Sequence, residues 1–354
     1  MSSQRRRSRS STAEAEGSRS HYDSDVIPTP ALVVEKADLD HNIATIGITL
    51  PGAKLRPHVK AFKSTALAHR LAAAGHRTFT CATVREVEGM ASAGLGEDLL
   101  LANEVLDRDQ LRRLAAVDAQ VTLAIDSSEG IVRAAAAGIR NLVIDVDVGL
   151  PRCGCNPDDA GRLADQGRAA GMNVRGVMGY EGHLMMVLDR AKRISKVEQS
   201  MSKLLVAAAA VGGELVSGGG TGTYDTNTWT NEIQAGTFLL GDTQYASLDL
   251  PFRQAVRLEC SILSLNPKGW AVANAGLKAL GMDHGDPSWA NGEVLYCSDE
   301  HTTLVAAEGV SLALDQRIRL DPAHLDPTVA RHEEMWLVDG DEVLERLPID
   351  LRHW

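Results

Sequence analysis

Aromatic residues are scarce in this 354-residue chain, with Phe, Trp and Tyr together making 4% of it. The core must therefore come from Ala, Val, Leu and Ile, as in layered α/β proteins, and a hydrophobic content of 44% is enough to build one. Cysteine is sparse and odd in number: Cys81, Cys153, Cys155, Cys260 and Cys297. With so few, a reduced, cytoplasmic setting is the default expectation. Cys153-Gly154-Cys155 lacks the Cys-x-x-Cys spacing of a metal or redox pair and reads as a turn. No apolar run is long enough for a signal peptide or a membrane span. Positive charge is outweighed: Lys and Arg number 36 against 47 Asp and Glu, a net −11. That balance argues against a basic face for nucleic acid or an acidic membrane. Also missing is a Gly-x-Gly-x-x-Gly after the first strand, which weakens a doubly wound, dinucleotide-binding sheet.

What is present is regular. Residues 1–24, rich in Ser, Arg and Glu, read as a disordered tail. Residues 25–36 carry one strand expected to join a C-terminal β domain. From 37 to 250, short apolar runs alternate with Ala/Leu-rich segments of helical period. The predicted strands are Leu55–Val59, Thr78–Val84, Asp98–Ala102, Val121–Ile125, Asn141–Val148, Val174–Tyr180, Glu214–Ser217 and Ile233–Leu240. Glycines such as Gly75, Gly94 and Gly138 follow the helices between them. Eight such units over ~200 residues predict a (β/α)8 barrel. Over 251–354 helical periodicity nearly vanishes, and strands are expected at Val256–Leu265, Gly269–Asn274, Gly292–Cys297, Thr302–Ala307, Glu334–Val338 and Asp341–Leu347.

Five constellations carry chemistry. Alternation along the first strand puts Arg56, His58 and Lys60 on one face, with Lys60 at the C-terminal end where barrel enzymes place catalytic groups. Burial and neighbouring cations could make Lys60 an amine nucleophile; a structural ion pair with Asp145 or Asp147 is the competing explanation. Ser217-Gly218-Gly219-Gly220-Thr221-Gly222-Thr223 follows the seventh strand, and Gly236-Thr237 belongs to the eighth. Gly and Thr there offer backbone and hydroxyl donors to an anion, and together with the lysine they point to a phosphate-bearing cofactor. Arg152 leaves the fifth strand in a Gly/Pro turn and could hold a carboxylate or phenolate, or be a surface arginine. Tyr180 and His183, after the sixth strand, stand where acid/base groups belong, although a lone loop His is often structural. His324 and Asp326, two apart in a segment read as extended, would point the same way and share a hard divalent ion, unless His324 merely closes a turn.

Taken in order, Arg-Pro-His-x-Lys at 56–60, Val-Gly-x-x-Arg-Cys-Gly at 148–154, Gly-Tyr-Glu-Gly-His at 179–183, Ser-Gly-Gly-Gly-Thr-Gly-Thr at 217–223, Glu-Ile-Gln-Ala-Gly-Thr at 232–237 and the terminal His-x-Asp resemble the D-threonine aldolase/D-serine dehydratase family. The resemblance runs from about Pro28 to the C-terminus. It implies an alanine-racemase-like barrel, a β domain, pyridoxal 5'-phosphate and a homodimer. It further implies that Lys60 is the Schiff-base lysine and that Arg152 lies near the cofactor's phenolic oxygen. Thr221, Gly222, Gly236 and Thr237 would cradle the phosphate, with Tyr180 by the ring. His324 and Asp326 would hold Mn²⁺ or Mg²⁺, and His183 would take the proton from the substrate's β-hydroxyl. Phe62-Lys63 departs from the His-Lys common in relatives, which leaves Lys63 without an assigned role.

The expected reaction is retro-aldol cleavage of a β-hydroxy-D-amino acid, D-threonine giving glycine and acetaldehyde. Dehydration of D-serine or 3-hydroxy-D-aspartate to a 2-oxo acid and ammonia is the alternative. Dehydratase-type members tend to carry Cys where this chain has Asp326. Aldol cleavage of 3-hydroxy-D-aspartate would use the same apparatus. A non-catalytic pyridoxal-phosphate-binding protein would lack the β domain and its metal pair.

Overall fold

The computed structural model describes residues 27–354; the tail expected over 1–24 lies outside the described residues. The described chain opens on β1 (Ala31–Glu35), which runs straight into α1 (Lys36–Thr49). Helices and strands then alternate: α2 (Thr65–Ala73), β2 (Thr78–Cys81), α3 (Val84–Ser92), β3 (Asp98–Leu101), α4 (Arg108–Ala115), β4 (Val121–Ile125), α5 (Ser128–Ala137), β5 (Asn141–Asp145), α6 (Ala160–Ala169), β6 (Asn173–Gly179), α7 (Arg190–Val211), β7 (Leu215–Gly218), β8 (Glu232–Ile233) and the one-turn α8 (Thr243–Ala246). Strands dominate the remainder: β9 (Val256–Leu265), β10 (Ala271–Ala273), β11 (Gly292–Cys297), β12 (Thr302–Ala306), β13 (Arg317–Leu320), then α9 (Leu325–Ala330), β14 (Glu334–Asp339) and β15 (Glu342–Pro348). Among the described residues no helix is long and apolar enough to cross a membrane.

Local chemistry sets the helix ends. Ser64, Thr83 and Ser127 each accept a backbone N–H at the start of α2, α3 and α5, and Glu86 completes a capping box on Thr83. Gly138 closes α5 at φ 91°, a conformation that costs glycine nothing.

Strands β2 to β8 form one parallel sheet in chain order. The expected first strand, Leu55–Val59, is not a regular strand. It bridges Leu55 to Ile233 and His58 to Thr80, so it sits between the two edge strands and closes the ring. Its bonds are Arg56 N to Ile233 O and His58 N to Ala235 O, each 2.9 Å, and Thr80 N to Pro57 O, 2.9 Å. Pro57 has no N–H to give, and the chain turns into a 3-10 helix at Val59, so no continuous ladder forms. The eighth strand is likewise shorter than the expected Ile233–Leu240: pairing stops at Ile233, and Thr237–Leu239 is a 3-10 turn.

The inward cations of the first segment separate along its length. Arg56, with a side chain 1% exposed, points to the barrel floor. There it donates to Glu232 (2.8 Å) and to Asp98 (3.1 Å), and Asp98 in turn accepts from Arg175 at 2.8 and 3.0 Å. The competing explanation for these cations therefore finds different partners from Asp145 and Asp147. A buried charge set of this kind is tolerable only because each member is bonded to another. Lys60 and His58 instead turn toward the barrel mouth.

The second sheet has the order β11-β12-β10-β9-β1-β14-β15, with β13 paired to β9. β1 lies antiparallel to β9 and parallel to β14. Leu32 and Val34 face the main core, while Ala31 and Val33 pack with Ile27 and Val338 on the other side. Burial on both faces explains why Ala-Leu-Val-Val is an unbroken apolar run rather than an alternating one. Two contacts tie this sheet's elements to the barrel near its mouth. Asp242 Oδ2 accepts from Leu325 N (3.0 Å), and Thr243 N donates to Pro322 O (3.1 Å). The segment around His324 and Asp326 is not extended, as the sequence suggested. His324 is the N-cap of α9 and Asp326 lies in its first turn.

Candidate active site

The first segment, the loops after the strands and the start of α9 surround a cavity of about 570 Å³. Its wall includes Lys60, Arg152, Tyr180, Thr221, Gly236, Thr237, His324 and Asp326. They come from six separate segments of the chain, and all were singled out from sequence. Lys60 is 39% exposed and its Nζ lies 3.6 Å from Asp326 Oδ2. That contact crosses from the barrel to the helix of the second sheet.

Each position has a local cause. Arg152 rides on a loop that folds back on β5: Cys155 N donates to Asp145 O and Asp147 N to Cys155 O, each 2.9 Å. Gly154 permits the return, because a Cβ there would lie 2.5 Å from Asp147 N and its φ is +115°. The Arg152 guanidinium then hangs 5.4 Å from the centre of the Tyr180 ring, a cation–π distance. Burial, then Glu181, pushes the Tyr180 phenol up, so it stays protonated at neutral pH. Glu181 itself is buried behind the glycine-rich loop, where it accepts from Gly219 N, Thr223 Oγ1 and Asn227 Nδ2.

Two 3-10 turns, Thr221–Thr223 and Thr237–Leu239, begin side by side and are joined by Phe238 N donating to Thr221 Oγ1 at 3.0 Å. Gly222 and Gly236 let the two turns pack against the backbones of Met185 and His58. A Cβ on Gly222 would lie 2.3 Å from Met185 O, and one on Gly236 2.6 Å from His58 O. The initial N–H groups of such turns have no partner within the turn. His58, also in the wall, has a buried Nδ1 that bonds to nothing in the chain. Burial, then Lys60, Lys63 and Arg152, keep its ring well below the usual imidazole pKa, hence neutral.

His183 is the exception among the sequence candidates. Its neighbour Gly182 is in the cavity wall, but the His183 ring is exposed at the rim against Gly149. Burial, then Lys196 and Lys203, hold its pKa below the ordinary value, so it is unprotonated at neutral pH. Lys63 turns away from the cavity and pairs with the buried Glu86 carboxylate.

His324 and Asp326 are neighbours but not a compact pair. Asp326 faces Lys60, while His324 Nδ1 lies 2.9 and 2.8 Å from the two oxygens of Asp283. Asp283, His284 and His324 bring potential ligand atoms within 4.8 Å of one another. Sequence reasoning missed Asp283 and His284. They sit in a Gly- and Asp-rich loop without periodicity, and an Asp-His dipeptide is the only signal they leave. It also missed the wall acids Glu104 and Asp242, and it named Asp145 only as an ion-pair partner for Lys60. Burial, followed by Glu104, raises the Asp145 carboxyl well above the usual carboxylate range.

Comparison with known proteins gives a consistent account of this arrangement. Residues 34–244 match the family model described as "Alanine racemase, N-terminal domain", and residues 255–338 match "Putative serine dehydratase domain". A relative from Paracoccus denitrificans (strain Pd 1222) named 3-hydroxy-D-aspartate aldolase is 30% identical, covering 89% of each chain. The D-threonine aldolase of an Arthrobacter species is 26% identical over 89% of this chain and 90% of its own. The crystal structure of D-threonine aldolase from Filomicrobium marinum superposes with a TM-score of 0.85 at 29% identity, covering 92% of this chain and 95% of that one. The chain belongs to the D-threonine aldolase/D-serine dehydratase family, whose alanine-racemase-like fold is that of pyridoxal-phosphate-dependent enzymes.

Proposed function

We propose that this protein is a pyridoxal-phosphate and divalent-metal-dependent aldehyde-lyase that splits a β-hydroxy-D-amino acid between Cα and Cβ, turning D-threonine into glycine and acetaldehyde. The observation that carries the reading is the Lys60 amine 3.6 Å from the Asp326 carboxylate, in one cavity with His324. The residues present fit the cofactor. The cavity has the volume of a small-molecule site, the Gly222 and Gly236 turns have no room for a Cβ, and His58 Nδ1 is buried without a partner.

When bound, pyridoxal phosphate supplies an electron-withdrawing ring that stabilises negative charge at Cα. Mn²⁺ or Mg²⁺ supplies Lewis acidity that eases proton loss from a hydroxyl. The chain's own residues do the rest. Lys60 provides the amine that attaches the cofactor. Thr221, Gly222, Gly236 and Thr237 donate to the phosphate. Arg152 offers its guanidinium to the phenolic oxygen, and the protonated Tyr180 lies by the ring. His324 and Asp326 hold the ion. His183, neutral at the rim, takes the proton from the β-hydroxyl.

A second reading, with 3-hydroxy-D-aspartate as substrate, is favoured by the name of the relative at 30% identity. The charges of the cavity oppose it. Among the described residues, Lys60 and Arg152 are its lysine and arginine side chains, against the carboxyl groups of Glu104, Asp145, Asp242 and Asp326. With both cations assigned to the cofactor, a second substrate carboxylate would meet no permanent cation among the described residues. We also assign the chain a homodimeric state, as the family implies, and a cytoplasmic location, on its free cysteines.

Product analysis tests the reading. D-threonine, D-serine and 3-hydroxy-D-aspartate are each incubated with Mn²⁺ and with chelator. Glycine and acetaldehyde from D-threonine, lost on chelation, support it. Pyruvate and ammonia from D-serine, with no glycine from D-threonine, replace it with the dehydratase alternative.

A further inference from the structure

His324 is gripped on two sides by a dipeptide, Asp283-His284, that none of the sequence motifs includes. Asp283 places both carboxylate oxygens, at 2.9 and 2.8 Å, on His324 Nδ1. His284 lays its ring over that of His324, with centroids 3.8 Å apart and an interplanar angle of 12°. The loop bearing the dipeptide is fixed against the His324 segment at both ends. Gly281 bridges His324 and donates to Thr328 Oγ1 at 2.9 Å, and Thr328 Oγ1 donates back to His324 O at 2.7 Å. Ser288 and Asp321 exchange backbone bonds at 3.0 and 2.9 Å. Gly281 has to be glycine here, because a Cβ would lie 2.3 Å from Pro327 Cγ.

From this geometry we infer that Asp283 and His284 are the positioning residues of the metal site, orienting His324 so that its Nε2 is the atom offered to the ion. The inference rests on the assignment of His324 as a metal ligand. A carboxylate can only accept, so the bond to Asp283 puts the proton on Nδ1 and leaves the lone pair on Nε2. Carboxylates backing a ligating histidine in this way fix its tautomer and its plane, and their loss typically weakens metal binding ~10–100-fold.

His284 acts differently. A histidine would bind an ion through a ring-nitrogen lone pair, which lies in the plane of its own imidazole. Two nearly parallel rings 3.8 Å apart cannot both contain one ion in their planes. His284 is therefore a clamp on the face of His324, not a co-ligand, and what it supplies is a flat ring.

The test is Mn²⁺ titration of the pyridoxal-phosphate-loaded enzyme by calorimetry, with free Mn²⁺ followed by electron paramagnetic resonance. The chains compared are wild type, H324A, D283A, D283N, H284A and H284F. H324A loses the site, D283A weakens binding ~10–100-fold, and D283N, which keeps an acceptor, weakens it less. H284A weakens binding and H284F restores it, because phenylalanine keeps the stack without a nitrogen. If D283A and H284A bind Mn²⁺ as wild type does while H324A does not, the positioning role is wrong and the assignment of His324 stands. If H284F is as weak as H284A, the imidazole nitrogen is what matters and the clamp is wrong. If H324A binds as wild type does, the assignment of His324 itself fails.

Discussion

The amine of Lys60 and the carboxylate of Asp326 stand 3.6 Å apart although one belongs to the barrel and the other to the first turn of α9. The contact puts the proposed cofactor lysine and the proposed metal ligand in one cavity. Replacing Asp326 with Ala should lower kcat/KM by about 100-fold or more and weaken Mn²⁺ binding at least ~10-fold, with Asn intermediate. Steady-state kinetics and calorimetry on the same preparations check it. Wild-type turnover in D326A would remove Asp326 from the site.

His183 tests proton transfer. In the proposed role its base form is the active one, and its surroundings hold its pKa below the ordinary imidazole value. Activity should therefore persist as pH falls to about 6.5 and decline only below it. His183→Ala should cost ~10²–10⁴ in kcat and remove that acidic limb. A pH profile unchanged in the variant would transfer the role to another group.

The barrel floor supplies a stability prediction. Asp98 accepts from both Arg56 and Arg175, and the Arg56 side chain is 1% exposed. Asp98→Ala removes the carboxylate shared by the two guanidinium groups, leaving Arg56 only Glu232 and Arg175 only Glu214 as acidic partners, and should cost about 3 kcal/mol in urea unfolding. A loss below ~1 kcal/mol would mean that water reaches the floor and screens it.

Gly236 tests the phosphate cradle. A Cβ there would lie 2.6 Å from His58 O, a backbone atom that cannot swing aside. Gly236→Ala should cost roughly 1–3 kcal/mol of stability. Because the shift falls on the segment carrying Lys60, it should also weaken pyridoxal-phosphate binding ~10-fold, measured by absorbance titration.

How much was legible in the sequence depends on how local the signal is. Val121–Ile125 and Val256–Leu265 are strands in full because their apolar runs have clear ends. Leu55–Val59 was legible as a barrel segment from its position but not as a broken one, since Pro57 interrupts its bonding. Arg317–Leu320 alternates as a strand should, with Ile318 and Leu320 buried and Arg317 and Arg319 donating to Glu259 on β9, yet it is too short to stand out. For His324 and Asp326 the helix-start signals were present: an acid in the first turn and Pro327 just after it. Reading that stretch as extended aligned both side chains on one ion, whereas the helix aims Asp326 at Lys60 and gives His324 to Asp283. The grip of Asp283 and His284 on His324 is purely tertiary, and no local pattern announces it.

The central claim is that Lys60 carries the cofactor. Borohydride reduction of the pyridoxal-phosphate-loaded protein, followed by peptide mass mapping, tests it most directly. The account predicts a phosphopyridoxyl adduct on Lys60 that is absent from K60A. An adduct confined to another lysine, or no adduct on a protein that has bound the vitamin, would contradict it.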